Sequence, residues 1–265
     1  MSGEVLNSGP RGRVLVAEDN PVNRMVAEGV LADLGYSVLI VADGVQALTA
    51  LAGEVFDAVL MDCHMPEMDG YQATRELRRR EGAGRRTPVI AMTAAVLAEN
   101  RGLCLAAGMD DFVAKPLDVE HLRETLRHWI PDTSAPQAST TAPHPEAPTE
   151  LGAVSPSRLE VLRGIGPADG WGVLPTVVRA FLDTSSRQLA ELQAAADAAD
   201  QETVRSVAHR LRGAAANLGA DWLAAACASL EADAGSVTTV RLLDSVKDEL
   251  NTACAELESV LAGKP

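Results

Sequence analysis

Acidic residues follow two short apolar runs, at positions where their carboxylates could do chemistry. Val14–Ala17 is followed by Glu18 and Asp19, and Ala58–Met61 is followed by Asp62. Such runs are typical of strands in a parallel sheet, whose carboxyl ends share one edge where ligands bind. The sequence therefore predicts that the three carboxylates meet at that edge, with Asp62 presented to a cleft rather than buried.

Two further apolar runs end at residues that could bind an anion. Val89–Met92 stops at Thr93, and Phe112–Ala114 stops at Lys115. Three carboxylates in one cleft would hold protons unless a cation were present, so the cluster predicts a hard metal ion, with Mg²⁺ as the natural candidate. With the metal and Lys115 neutralising phosphoryl oxygens and Thr93 donating a hydrogen bond, Asp62 could act as a nucleophile and form an acyl phosphate.

Five motifs in this order and spacing resemble the receiver domain of two-component response regulators. They are Glu18-Asp19, Asp62 with Met65-Pro66, Met68-Asp69-Gly70, Met92-Thr93-Ala94 and Lys115-Pro116. The resemblance covers roughly the first half of the chain. It implies that Asp62 is the phosphorylated residue and that Mg²⁺ is held by Glu18, Asp19, Asp62 and the backbone carbonyl of His64.

The same resemblance implies a switch. Thr93 would bind the phosphoryl group and change position, and Phe112 would be the aromatic residue coupled to it. Lys115 would pair with the phosphoryl group, and the Lys115–Pro116 peptide bond would be cis, which proline makes inexpensive. The commoner acidic pair in this family is two aspartates. Here the first residue of the pair is Glu18, and the family uses both forms.

Composition is that of a globular protein with room for two domains. The chain has 265 residues, of which 47% are hydrophobic and 23% charged, values ordinary for folded domains. Aromatic residues make up only 3%, which favours close-packed helices and parallel strands over a β-sandwich. A net charge of −14 argues against nucleic acid as a partner, because phosphate contacts need a basic face.

The cysteines indicate a reducing compartment. Cys63, Cys104, Cys227 and Cys254 show neither CxxC pairing nor metal-ligand spacing, so we expect free buried thiols rather than a disulfide framework. The amino terminus is polar and no apolar run approaches about 18 residues, so we expect neither a signal peptide nor a membrane span. The expected location is the cytoplasm.

The apolar periodicity predicts two folded domains joined by a linker. Strand and helix patterns alternate over residues 11–131, which predicts a doubly wound, five-stranded parallel sheet of flavodoxin-like type with helices on both faces. Residues 132–150 are rich in Pro, Thr, Ser and Ala and predict a flexible linker. Residues 151–262 predict an all-α bundle of antiparallel helices.

One predicted helix of the second half carries a candidate nucleophile. In the helix 201–217, an apolar stripe leaves His209 on the opposite face, so we expect its imidazole to be solvent-exposed. The members of the stripe are Val204, Val207, Ala208, Leu211, Ala215 and Leu218. Arg205, Arg212 and Gly213 lie within one turn of His209, where the guanidinium groups could bind phosphoryl oxygens. A neutral imidazole between them could accept a phosphoryl group.

The stretch from Ala208 to Ala220 resembles the signature of histidine-containing phosphotransfer (HPt) domains. Around His209 it reads Ala-His-Arg-Leu-Arg-Gly-Ala. The resemblance spans about the last 110 residues, with its specific part confined to this stretch. Arg212 stands where the family usually has lysine, which keeps the charge but changes the geometry.

Together the two resemblances imply a phosphorelay protein. A histidine kinase would phosphorylate Asp62, and His209 would exchange phosphoryl groups with a receiver aspartate, its own or that of a downstream response regulator. The sequence contains no P-loop and no motif typical of the ATP-binding module of histidine kinases. We therefore expect a phosphoryl carrier rather than an ATP-using enzyme.

Two other functions are open at this point. In the first, phosphorylation of the receiver changes an interface through Thr93 and Phe112, and the bundle serves as a phosphate sink. In the second, a Mg²⁺-dependent phosphohydrolase uses Asp62 as a covalent nucleophile. That enzyme would need a second acidic residue, two positions after Asp62, to protonate the leaving group. In this sequence the position is occupied by His64.

Overall fold

The structure is a computed structural model that describes residues 10–82, 84–93, 98–130, 152–166, 170–235 and 238–263. It contains two compact units, one built around a β-sheet and one built from helices. The predicted linker, residues 132–150, lies outside the described residues.

The first unit contains the five predicted parallel strands, in the order β2-β1-β3-β4-β5. The strands are β1 Arg13–Ala17, β2 Ser37–Val41, β3 Ala58–Asp62, β4 Val89–Thr93 and β5 Asp111–Ala114. They alternate with the helices α1 Pro21–Asp33, α2 Gly44–Gly53, α3 Gly70–Glu81, α4 Ala98–Ala107 and α5 Val119–Trp129. This strand order is that of the flavodoxin-like doubly wound fold, so the predicted fold class is confirmed.

The central strands form the core of this unit. Every residue of β3 and β4 is buried, as expected for strands that are covered by helices on both faces of a parallel sheet. The parallel register pairs Ala17 with Met61 and Asp62 with Met92. The carboxyl ends of β1, β3 and β4 therefore lie side by side.

Aspartates fix the beginnings of several helices. The carboxylates of Asp43 and Asp118 accept hydrogen bonds from the backbone N–H groups of Gln46 and His121, each three residues later. Asp69 forms a full capping box with Gln72 at the start of α3. Such caps satisfy backbone donors that the first helical turn leaves without partners.

The second unit consists of the helices that follow. They are α6 Pro156–Gly164, α7 Leu174–Asp197, α8 Gln201–Leu218, α9 Asp221–Ala232 and α10 Thr239–Ala262. α8 packs against α7 and α9, and α10 packs against α7 and α9, so the predicted bundle is present. Among the helices of the described residues, none is both long enough and apolar enough to cross a membrane.

The helix α8 matches its predicted pattern. All six members of its apolar stripe are buried, and Asp200 accepts a hydrogen bond from the backbone N–H of Thr203 at the beginning of the helix. Gly219 ends it in the left-handed conformation with φ 73°, which glycine adopts without steric cost. The next helix, α9, has Ala220 at its N-cap position and Asp221 in its first turn.

Candidate functional sites

The three predicted carboxylates meet at the carboxyl edge of the sheet. Glu18 and Asp19 directly follow β1, and Asp62 is the last residue of β3. One oxygen from each of the three carboxylates lies within 4.8 Å of the others. Three oxygen donors of like charge at this spacing suit a hard divalent cation, so the predicted cluster fits such an ion.

Lys115 joins the cluster from the end of β5. Its Nζ lies 2.7 Å from Asp62 Oδ2 and 2.6 Å from Glu18 Oε2. The peptide bond between Lys115 and Pro116 is cis, as the resemblance implied. Burial alone would lower the pKa of Lys115, but the charges of Asp62 and Glu18 outweigh burial and raise the pKa of the ammonium. The lysine therefore stays charged and offsets part of the negative charge of the cluster.

The expectation that Asp62 is presented rather than buried is wrong for this state of the protein. Asp62 is only 2% exposed. The ammonium of Lys115 lies against one of its carboxylate oxygens, and the backbone N–H of His64 donates to the other at 3.2 Å. A carboxylate can be buried in this way because a cation and a hydrogen-bond donor replace the water it loses.

The remaining predicted residues of this edge occupy distinct places. Thr93 ends β4 and is buried, and its backbone carbonyl accepts a hydrogen bond from the backbone N–H of Lys115 at 2.7 Å. His64 is exposed, and its ring makes an edge contact with that of Tyr71 at 6.0 Å between centroids. Phe112 packs against the core from β5, with the guanidinium of Arg101 5.3 Å from its ring centroid.

A glycine allows α3 to begin directly against Asp62. A Cβ atom on Gly70 would lie 2.1 Å from the backbone carbonyl oxygen of Asp62, far inside the contact distance of any side chain. The backbone N–H of Gly70 donates instead to the carbonyl of Cys63 at 3.2 Å. Gly70 therefore sets the position of the loop that carries the acidic residue.

The second candidate site is His209 on α8. Its Nδ1 lies 2.9 Å from Oε1 of Glu231, which belongs to α9. The expectation of a solvent-exposed imidazole is wrong in degree, because the side chain is 15% exposed. The helical wheel places the ring correctly away from the stripe of α8, but it cannot include a neighbouring helix that supplies Glu231.

The arginines beside His209 have partners within the bundle. Arg212 Nη1 lies 2.8 Å from Glu231 Oε2, and its Nη2 lies 3.2 Å from Nδ1 of His209. Arg205 donates from Nη2 to the backbone carbonyl of Ala234 at 3.2 Å. Gly213 continues the same helix and is partly buried.

Glu231 is a site residue that the sequence analysis missed. It is the one glutamate of α9, and nothing in its local sequence distinguishes it from an ordinary acid on a helix surface. Nδ1 of His209 has two contacts that call for opposite tautomers, because the carboxylate of Glu231 only accepts hydrogen bonds and the guanidinium of Arg212 only donates them. The shorter contact, 2.9 Å to Glu231, favours the tautomer with the proton on Nδ1. That tautomer leaves a lone pair on Nε2, so His209 can act as a nucleophile through that nitrogen.

Comparison with known proteins assigns each unit to a family. Residues 14–127 match the family model of the response regulator receiver domain, and residues 176–260 match that of the Hpt domain. The first match contains all the residues of the acidic edge described above, and the second contains His209, Arg212 and Glu231.

Two curated relatives align with most of the chain. The sensory/regulatory protein RpfC of Xanthomonas campestris pv. campestris is 35% identical over 209 residues, which cover 78% of this chain and 28% of that protein. The sensor histidine kinase GacS of Pseudomonas protegens is 35% identical over 219 residues, covering 81% of this chain and 23% of that protein. The chain thus spans about a quarter of the length of these relatives.

Among solved structures, the receiver domain of the sensor histidine kinase PA1611 from Pseudomonas aeruginosa PAO1, with a magnesium ion coordinated in its active site cleft, is 49% identical. It covers 46% of this chain and 98% of its own, with a TM-score of 0.43. The family matches, together with the acidic edge and the His209 site, identify the chain as a response regulator receiver domain followed by an Hpt domain.

Proposed function

We propose that this chain carries phosphoryl groups in a phosphorelay, with Asp62 and His209 as its two acceptors. The observation that carries the proposal is the position of Asp62 within a receiver domain, between a buried lysine and two further carboxylates. The second acceptor is supported by the Hpt match and by the contact of His209 with Glu231. A sensor histidine kinase aligns with 81% of this chain, which supports a kinase as the donor.

The chemistry at Asp62 is an in-line transfer from a phosphohistidine of the kinase. A carboxylate oxygen of Asp62 attacks phosphorus, the N–P bond breaks, and its electron pair remains on the imidazole nitrogen of the kinase. Lys115 lies 2.7 Å from the Asp62 carboxylate and can follow a phosphoryl oxygen as negative charge develops there. Thr93, at the end of the next strand, would donate its hydroxyl to the same group.

The acidic cluster suits Mg²⁺. Glu18, Asp19, Asp62 and the backbone carbonyl of His64 would hold the ion, which supplies positive charge against the oxygens of the transferred group. Its three carboxylates are already grouped within 4.8 Å. Lys115 pairs with two of them, Glu18 and Asp62.

The chemistry at His209 uses the nitrogen that faces away from Glu231. With the proton on Nδ1 donated to Glu231, the Nε2 lone pair attacks the acyl phosphate of a receiver aspartate and the C–O–P linkage breaks at the O–P bond. As positive charge grows on the imidazole, the carboxylate of Glu231 stabilises it. Arg205 and Arg212 lie one turn to either side, where their charge favours the incoming phosphoryl group.

The switch residues belong to the same proposal. After phosphorylation, Thr93 would turn its hydroxyl toward the phosphoryl group, and Phe112 would move into the space that this releases. Phe112 is partly buried and lies under Arg101. A change at Thr93 would therefore reach the face formed by α4 and β5.

The remaining assignments are also proposals. We assign residues 11–131 to the receiver domain, 132–150 to a flexible linker and 151–262 to the HPt domain. The partners would be a histidine kinase, separate or part of a hybrid protein, and a downstream response regulator. A cytoplasmic setting is supported by four free cysteines, which reducing compartments maintain.

Transfer of labelled phosphate tests the proposal. A purified histidine kinase, phosphorylated from radiolabelled ATP, is mixed with wild type, Asp62→Asn or His209→Gln. The exposed residues Asp33 and His121 provide matched controls as Asp33→Asn and His121→Gln. We expect base-labile label at Asp62 and acid-labile label at His209 in the wild type and in both controls.

The variants also distinguish the routes and the alternatives. Loss of label at His209 in Asp62→Asn would indicate transfer from Asp62 within the chain, whereas its retention would indicate that His209 receives the phosphoryl group from the kinase preparation and not from Asp62. Equal labelling of wild type and of both acceptor variants at other residues would contradict the proposal. Steady turnover of a small phosphate ester by the purified chain would favour a phosphohydrolase instead.

A further inference from the structure

Two cysteines of the receiver domain face each other beside the acceptor aspartate. The Sγ atoms of Cys63 and Cys104 lie 4.0 Å apart, which is van der Waals contact. Cys63 is the residue after Asp62, and Cys104 lies on α4. Phosphoryl transfer as described above uses neither thiol. We propose that the two cysteines form a reversible disulfide, and that the closed bond slows phosphoryl acceptance by Asp62.

The two sides of the pair differ in how firmly they are held. The backbone N–H of Cys63 donates to the carbonyl of Met92 at 3.3 Å, and its carbonyl accepts from Gly70 at 3.2 Å. Cys104 belongs to a ten-residue helix at the surface of the unit, and its neighbours Leu103 and Leu105 are 56% and 57% exposed. The movement needed for bond formation therefore falls on α4.

The required movement is small. A disulfide has an S–S distance of about 2.05 Å, so the sulfur atoms must approach each other by about 2 Å from their present separation of 4.0 Å. Rotation about the two Cα–Cβ bonds together with a shift of α4 would bring the two sulfur atoms to this distance. The remaining cysteines, Cys227 and Cys254, lie in the other unit and are free.

The oxidant that fits is a small hydroperoxide, because Cys63 and Cys104 are 0% and 3% exposed. The thiolate of Cys104 attacks the O–O bond of hydrogen peroxide, giving a sulfenic acid and hydroxide. Cys63 then attacks the sulfenic sulfur, the S–S bond forms, and the sulfenic oxygen leaves as water. In total, two thiols lose two electrons and two protons, and one peroxide yields two waters. A cytoplasmic dithiol restores the thiols by exchange.

The bond would disturb the acceptor through the chain itself. Cys63 lies within the turn that is closed by the hydrogen bond from His64 N–H to Asp62 Oδ1, at 3.2 Å. Drawing its side chain toward α4 moves the peptide groups on both sides of it, and with them the carboxylate of Asp62. Misplacement of a reacting group by about 1 Å costs on the order of tenfold or more in rate. This second half of the inference rests on the proposed function.

Peptide mapping tests the bond. The full chain is treated with hydrogen peroxide, its remaining thiols are alkylated, and its peptides are compared with and without reduction. We expect one cross-linked species joining the peptides that contain Cys63 and Cys104, with two of the four thiols retained. It should be absent from Cys104→Ser and Cys63→Ser, present in Cys254→Ser, and reversed by dithiothreitol.

Two results would contradict the proposal that this disulfide forms. One is oxidation of Cys63 and Cys104 to separate sulfenic or sulfinic acids. The other is their survival as thiols at a peroxide dose that oxidises Cys254, which is more accessible. Both are read in the wild type, so they do not depend on the folding of any variant. In the urea-unfolded chain, peroxide should no longer favour the Cys63–Cys104 disulfide over other cysteine pairs. If it still does, the folded structure is not what brings the two cysteines together.

Labelled transfer tests the effect on Asp62. Oxidised wild type should accept phosphate at Asp62 on the order of tenfold more slowly than reduced wild type, and Cys104→Ser should not respond to oxidation. A cross-linked protein with an unchanged rate would overturn the coupling. Failure of reduced wild type to accept phosphate would instead contradict the proposed function. The peptide-mapping result, which tests only disulfide formation, would be unaffected.

Discussion

Nδ1 of His209 lies 2.9 Å from Oε1 of Glu231, so an acid on α9 orients a histidine on α8. The other oxygen of Glu231 lies 2.8 Å from Nη1 of Arg212, which holds the carboxylate in place. Because the carboxylate can only accept, this contact favours the tautomer of His209 that has its lone pair on Nε2. The proposed nucleophile of the Hpt domain, His209, is therefore oriented by a contact between two helices.

Glu231→Ala should slow phosphoryl transfer to His209. A hydrogen bond to a charged group contributes about 1.5–3 kcal/mol, which corresponds to a rate lower by about tenfold to a hundredfold. Glu231→Gln keeps an acceptor oxygen but loses the charge, and should fall between Glu231→Ala and wild type. Initial rates from a labelled receiver measure this. The control is Glu258→Gln, which removes an exposed charge from α10. If Glu231→Ala transfers as fast as this control, Glu231 does not assist phosphoryl transfer to His209.

Lys115→Met should make the stability of the receiver domain depend more strongly on divalent cations than that of the wild type does. Lys115 pairs with both Asp62 and Glu18 in a buried site, and removal of one partner from a buried pair costs about 3–5 kcal/mol. We expect the free energy of unfolding to fall by this amount in the presence of a chelator. It should recover in part in Mg²⁺, which can replace the missing positive charge. Urea denaturation under both conditions measures it. Lys247→Met removes an exposed lysine and should be as stable as the wild type under both conditions.

The sequence predicted the acidic site well because parallel strands impose a simple geometry. Glu18, Asp62 and Lys115 each follow an apolar run, and the carboxyl ends of parallel strands must share one edge of the sheet. All five strands and the direction of the sheet followed from the same alternation. Periodicity was sufficient here because the position of each residue in its strand determines its neighbours.

The solvent exposure of the two proposed acceptors, Asp62 and His209, could not be predicted in the same way. Asp62 is buried because Lys115, 53 positions later in the chain, places its ammonium against the carboxylate. His209 is partly covered because α9 brings Glu231 to it. Both depend on side chains from other elements. Likewise, the 4.0 Å contact of Cys63 with Cys104 follows from the packing of α4, which leaves no trace in the spacing of the cysteines.

Gly70→Ala should destabilise the receiver domain and displace Asp62. The added Cβ would lie 2.1 Å from the Asp62 carbonyl oxygen, and overpacking of this kind costs about 3 kcal/mol. The loop carrying the acceptor must move, so phosphoryl acceptance should fall as well. Gly102→Ala in α4, where nothing lies within 4 Å of the new atom, should instead stabilise the domain by about 0.5–1 kcal/mol. Similar unfolding curves for the two variants would contradict the close approach.

Asp200 should stabilise the helix of His209 in a pH-dependent manner. The hydroxyl of Thr203 and then its backbone N–H bind the carboxylate and lower the pKa of Asp200. A carboxylate whose pKa is lower in the folded state contributes stability above its unfolded pKa of about 3.9, and the contribution disappears as the pH falls through the folded value. Asp200→Ala should therefore melt at a lower temperature than wild type at pH 7, and the difference should shrink on acidification through that range.

Asp200→Asn keeps a good N-cap and should lie closer to wild type in melting temperature at pH 7. A difference between wild type and Asp200→Ala that does not change from neutral to acidic pH would show that the ionised carboxylate is not the stabilising species.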